Sequence, residues 1–137
     1  MLAVPASSRR GGKFEDTHYQ EVGIMCLFCD IVEGKIPSTK VFENDKVLAF
    51  KDINPATPVH VLIVPKKHFD DILDMASSEE GKEALGDVLD AVPEVVKATG
   101  IDDGFRIINN CREFGGQTVK HVHFHILGGV KLSEKMI

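Results

Sequence analysis

Three histidines recur at every second position in His121-Val122-His123-Phe124-His125, and Ile126 and Leu127 continue the run. In an extended strand alternate side chains share a face. The imidazoles would then line one side at intervals of ~6.6 Å, with Val122, Phe124 and Ile126 pointing into a core. Imidazole is mostly neutral at pH 7, which suits it to ligate a metal, to bind phosphate or to attack an electrophile. Spacing alone leaves metal binding and nucleophilic catalysis equally open.

The segment ahead of the row favours catalysis. Gly115-Gly116-Gln117-Thr118 offers flexible backbone, N–H donors, an amide and a hydroxyl, the equipment of an oxyanion or phosphate cradle. A nucleophile beside an anion cradle implies phosphoryl or nucleotidyl transfer. His60 is the one polar residue inside the apolar run Val59–Val64, and Asp52, just before Asn54-Pro55, reads by position as a turn residue. Cys26-Leu27-Phe28-Cys29 has the two-residue gap of half a zinc site. The same spacing also fits two reduced cysteines on a short helix, while a redox disulfide is disfavoured without a preceding strand of the thioredoxin type. Cys111, in the loop 110–118, reads as incidental.

These residues need elements to hold them. Cys26 to Gly34 reads as a short helix stopped by glycine. Lys40–Glu43 and Val47–Lys51 flank Asn44-Asp45 and predict a hairpin. The β-branched run Val59–Val64, ended by Pro65, predicts a central strand buried on both faces. Glu79 to Thr99 is the longest helical pattern, with Ser77 or Ser78 as cap, early acids, and Gly100 as stop. Its stripe Leu85, Val88, Leu89, Val92 and Val96 should be buried, and Pro93 should kink it. Phe105–Asn109 and His121–Leu127 are the last two strands. Short connections between neighbouring strands favour an antiparallel sheet with helices packed on it, an α+β domain.

The 137-residue chain is 43% hydrophobic, enough for a single core. A formal net charge of −5 excludes a general attraction to nucleic acid or anionic membrane, and no apolar run approaches a membrane span. Residues 1–25 are polar and turn-rich and read as a disordered arm or an upstream extension, leaving 26–137 as one domain. Three cysteines without secretory features point to a reducing compartment. A cytoplasmic location is the expectation, with a nuclear one also open and an organellar one disfavoured.

Residues 115–129, Gly-Gly-Gln-Thr-Val-Lys-His-Val-His-Phe-His-Ile-Leu-Gly-Gly, resemble the signature of the histidine-triad (HIT) family, and Leu127-Gly128-Gly129 resembles its nucleotide-binding Hint branch. Phe28–Pro37, Leu48–Ile53 and Thr57–His68 agree in order and spacing. The resemblance implies a HIT-like fold: a five-stranded antiparallel sheet with one long and one or two short helices, continued across a homodimer. It implies hydrolysis of adenosine 5′-phosphoramidates and related purine nucleotides at the α-phosphorus, with no catalytic cofactor and AMP as product. The implied nucleophile is His123, forming a nucleotidyl-histidine, and His121, His125 and His60 complete the catalytic set. Asn110, Gly116, Gln117, Thr118, His123 and His125 would surround the phosphate. Asp52 would hold the ribose diol, with Phe28, Ile31, Phe50 and Ile53 around the base. Some members of the wider family hold structural zinc, and the positions here would be Cys26, Cys29, His68 and His121. Dinucleoside polyphosphate hydrolysis and non-catalytic nucleotide binding are the rival readings. The Trp-Pro-Pro-Gly tail of many Hint proteins has no counterpart in a chain without tryptophan.

Overall fold

The computed structural model describes residues 26–137, so the reading of residues 1–25 lies outside the described residues. Five strands form one antiparallel sheet: β1 (Lys40–Glu43), β2 (Val47–Lys51), β3 (Val59–Pro65), β4 (Arg106–Ile108) and β5 (Phe124–Gly128). Their order across the sheet is β1-β2-β3-β5-β4, which puts β3 in the centre. Among the described residues three α-helices accompany them: α1 (Leu27–Val32), α2 (Ile72–Ala76) and α3 (Glu79–Thr99). The α+β architecture is the one expected, and among the described residues no helix is long and apolar enough to cross a membrane.

Strand alternation divides the core in two. Val47, Ala49, Val61, Ile63, Val122, Phe124 and Ile126 face α3 and meet Val88, Ala91 and Val95. Leu48, Phe50, Leu62 and Val64 face the other way and are covered by Leu27, Phe28 and Ile31 of α1. The histidines belong to this second face. One side of β5 thus anchors the strand while the other side carries the histidines.

Ser78 caps α3 by accepting from Gly81 N (3.0 Å), and Gly100 closes it at φ 73°. The helix runs on through the exposed Pro93 to Thr99. Its buried stripe is Val88, Ala91 and Val95, with Leu85, Val92 and Val96 only partly buried and Leu89 55% exposed. The buried stripe is therefore rotated from the expected one: Ala91 takes the central contact with the sheet and Leu89 turns outward. The short α2, capped by Asp71, was not marked by periodicity.

Two strands are shorter than the sequence suggested. β4 covers only Arg106–Ile108, and the regular ladder of β5 begins at Phe124, not His121. Ile63 pairs with Phe124, so continuing the register would set Val122 against Pro65, which has no N–H to donate. Val122 N instead donates to Phe69 O (2.8 Å). That departure carries His121 away from the sheet and toward α1.

Candidate functional site

His123 is 5% exposed and its ring stands edge-on to Phe28, with centroids 5.0 Å apart. Its Nδ1 lies 2.7 Å from the carbonyl oxygen of His121. A carbonyl only accepts, so Nδ1 carries the proton and Nε2 keeps a free lone pair. Burial lowers its pKa to about 4, which keeps the ring neutral and nucleophilic. Asn109 Nδ2 donates to His123 O (2.9 Å) and fixes the backbone. Sequence reasoning passed over Asn109, since an amide in a strand gives no signal of what it holds.

His60 lies on β3 two positions from Leu62, which pairs with His125, so the two imidazoles are diagonal neighbours on one face. Ala56 N donates to His60 Nδ1 (3.0 Å), so the proton of the neutral ring is on Nε2. That atom is 2.9 Å from His125 Nδ1 and 3.5 Å from Asp52 Oδ2. His60 therefore donates to His125, whose own proton must sit on Nε2, available as a hydrogen-bond donor. Burial lowers the pKa of both rings. Asp52, His60 and His125 lie close enough to suggest a metal cluster. The proton between the two rings argues for a relay instead, because a ligating nitrogen must present a lone pair.

Lone pairs converge at the other cluster. His121, fully buried, points Nε2–H at Pro65 O (2.9 Å), which leaves Nδ1 unprotonated. His68 points Nε2–H at Asp70 Oδ1 (2.7 Å), which leaves its Nδ1 unprotonated as well. The two Nδ1 atoms are 3.2 Å apart, and His121 Nδ1 is 3.2 Å from Cys26 Sγ and 3.5 Å from Cys29 Sγ. Cys29 Sγ is also 3.5 Å from His68 Nδ1. A tetrahedral zinc ion separates nitrogen and sulfur ligands by about 3.3–3.8 Å. Hydrogen bonding with Cys26 lowers the Cys29 thiol to about 3 while the Cys26 thiol moves up, and hydrogen bonding to Cys29 raises the His68 pKa. Facing lone pairs beside a thiolate suit a cation. Cys26, Cys29, His68 and His121 fit zinc, with Pro65 O and Asp70 as the outer partners that orient the two rings.

The loop 110–118 is more self-contained than its composition suggested. Gly115 N and Gln117 N donate to Arg112 O (3.1 and 3.0 Å), and Gly116 N donates to Glu113 O (3.0 Å). The Gln117 amide donates to Asp70 O (2.7 Å) and Val119 O (3.0 Å) and accepts from Arg112 N (2.6 Å). The expected N–H of Gly116 and amide of Gln117 are thus spent on shaping the loop. Thr118 is exposed and Asn110 half-buried beside the same loop.

Phe28, Ile31 and Phe50 form a buried apolar wall, Phe28 and Phe50 meeting edge to face at 5.6 Å, while Ile53 stands 78% exposed. Asp52 Oδ1 accepts from Asn54 N (2.8 Å), so the turn reading of Asp52 is correct without excluding a binding role for Oδ2. A cleft of about 480 Å³ runs behind β1 to β3 and touches this site only at Asp52 and His60.

The HIT domain model matches residues 33–132. The 14 kDa zinc-binding protein of Zea mays is 44% identical over 108 residues, covering 78% of this chain and 84% of its own. The purine nucleoside phosphoramidase of Escherichia coli is 38% identical over 104 residues, covering 75% of this chain and 86% of its own. A histidine triad protein from Clostridium difficile superposes with a TM-score of 0.77 at 46% identity, over 82% of this chain and 97% of that one.

Proposed function

This chain belongs to the HIT family, and from that premise we propose that it hydrolyses purine nucleoside phosphoramidates at the α-phosphorus through a covalent nucleotidyl-His123 intermediate. The observation that carries the reading is the tautomer of His123. Its Nδ1–H bond to the His121 carbonyl leaves Nε2 as a neutral attacking atom.

His123 Nε2 attacks phosphorus, the phosphorus–nitrogen bond breaks, and the nitrogen leaves with the bonding pair and takes up a proton to become the amine, a proton that the attacking water of the second step returns. The ring then bears positive charge, and its Nδ1–H bond to the His121 carbonyl becomes charge-assisted and stronger. His125 Nε2–H, set by His60, is a donor for a non-bridging oxygen. Water then attacks the intermediate, the bond to Nε2 breaks, and a nucleoside monophosphate such as AMP departs. Thr118 and Asn110 are the loop side chains we assign to the phosphate, and Asp52 Oδ2 to the ribose hydroxyls. Phe28, Ile31 and Phe50 give area to a base with little means of reading its identity.

We assign Cys26, Cys29, His68 and His121 to one structural zinc per chain, which would brace the backbone that holds His123. The relative named for zinc binding supports this assignment, and the relative named as a phosphoramidase supports the activity. A homodimer joined through β4 suits the sheet order, since β4 is an edge strand and Ile107 on it is 45% exposed.

Mass spectrometry of protein quenched during turnover of adenosine 5′-phosphoramidate tests the central step. A stoichiometric adenylyl adduct on His123 is expected, and His123→Ala should lose about three orders of magnitude or more in turnover. Turnover without that adduct refutes the mechanism. Faster cleavage of diadenosine polyphosphates would move the substrate to that class, and binding with no turnover of either would make the chain a nucleotide-binding protein.

A further inference from the structure

We propose that Arg112 and Asp71 form a latch that positions the loop 110–118 for phosphate, an inference that rests on the proposed reading of that loop. Arg112 is the one non-glycine residue at positive φ among the described residues, with φ 64° and ψ −179°. L-residues avoid this region, and a side chain remains there only where its surroundings hold it.

What holds it is visible. Arg112 Nε donates to Asp71 Oδ2 at 2.8 Å. Asp71 is 5% exposed, and its other oxygen caps α2 by accepting from Asp74 N (2.8 Å). A buried carboxylate on a helix cap cannot follow a wandering partner, so it is a fixed anchor 41 residues away in sequence.

The backbone of Arg112 in turn organises the loop. Its carbonyl receives Gly115 N and Gln117 N, and its N–H binds the Gln117 side chain. Gln117 then reaches Asp70 O, one residue from the latch. With the guanidinium released, only the loop's own bonds to the Arg112 backbone oppose relaxation of the strained conformation, and the carbonyl that gathers Gly115 and Gln117 is free to swing away. Thr118 would lose its fixed place beside the phosphate. Arg112 and Asp71 are positioning residues that need not touch the substrate.

Two variants test this without depending on each other. Arg112→Gly removes the anchor but relieves the backbone, so its melting temperature should stay at the wild-type value or rise. Asp71→Asn keeps an oxygen for the helix cap and removes the charge. Each should weaken AMP binding in calorimetry and raise KM for adenosine phosphoramidate by about ten- to hundredfold, the range of a charge-assisted bond lost from a preorganised loop. The double variant should be no worse than either single one. Wild-type KM and AMP affinity in folded Arg112→Gly overturns the latch, as does additivity in the double variant. Unchanged KM with a lower melting temperature would mark the pair as structural only and overturn it equally. If the wild-type chain itself neither binds AMP nor turns over the phosphoramidate, the phosphate-loop reading fails first and the latch with it.

Discussion

Replacing His60 with alanine separates the role of a positioned tautomer from that of the nucleophile. The ring is 9% exposed and makes two bonds that matter: it accepts from Ala56 N at 3.0 Å and donates to His125 Nδ1 at 2.9 Å. Its removal strands a backbone donor and an imidazole acceptor. Dry, each would cost about 1–3 kcal/mol, but the vacated space opens toward Asp52 and the cleft and will admit water. A net loss of about 2 kcal/mol is expected, or roughly 6–10 °C in melting temperature for a domain of this size. The catalytic effect has two parts. His125 loses the donor that held its proton on Nε2, so about half the molecules would carry the wrong tautomer, a factor of roughly 2. The remaining rings meet the developing charge without a supporting bond, worth about 1–1.5 kcal/mol or roughly tenfold. The product is a fall in kcat of about 20-fold, far short of the loss from His123→Ala. Quench-flow measurement of the adenylyl-enzyme burst should locate the fall in the chemical step, with AMP affinity nearly unchanged. Nitrogen-15 NMR reads the tautomer directly. A wild-type His125 protonated at Nδ1, or a kcat unchanged in His60→Ala, would refute the reasoning.

Other outcomes follow from the same geometry. Cys29→Ser should drop zinc content, measured by plasma mass spectrometry, from about one per chain to well below it, with a lower melting temperature and His123 still present. Gly81→Ala should destabilise by about 3 kcal/mol in urea despite alanine's better helix propensity. The added Cβ would collide with the carbonyl oxygen of Met75. Gly86→Ala, with nothing within 4 Å of its Cβ, should instead stabilise by about 0.5–1 kcal/mol. Burial lowers the pKa values of His60 and His125, so below about pH 6.5 the unfolded chain binds protons that the folded chain refuses. Stability should therefore fall as pH drops through the window beneath that value, and His125→Asn should flatten the slope of urea midpoint against pH.

The sheet was legible because each strand advertised itself by composition. Lys40–Glu43, Val47–Lys51 and Val59–Pro65 fall where the apolar runs and turn pairs put them, and Ser78 and Gly100 bound α3 as capping chemistry demands. What was not legible depends on partners distant in sequence. The buried face of α3 is set by how the helix lies on the sheet, which periodicity read one step off at Leu89. Gln117 looks free in sequence because nothing there shows Asp70 beneath it.

The triad makes the same point within five residues. Spacing gives His121, His123 and His125 one shared face and so one apparent job. The structure gives each ring a different environment, because what faces each nitrogen is decided by other segments. His121 meets Pro65 O with one nitrogen and the cysteine–His68 cluster with the other. His123 meets the His121 carbonyl, and His125 meets a proton already committed by Ala56 and His60. An acceptor opposite Nε2 of His121 turns its lone pair toward the thiolate. An acceptor opposite Nδ1 of His123 turns its lone pair the other way, to Nε2. The proposed division between a metal-binding and an attacking histidine therefore rests on two backbone carbonyls, those of Pro65 and His121. The first is on hand because β3 ends in a residue whose missing N–H also stops the ladder at that point.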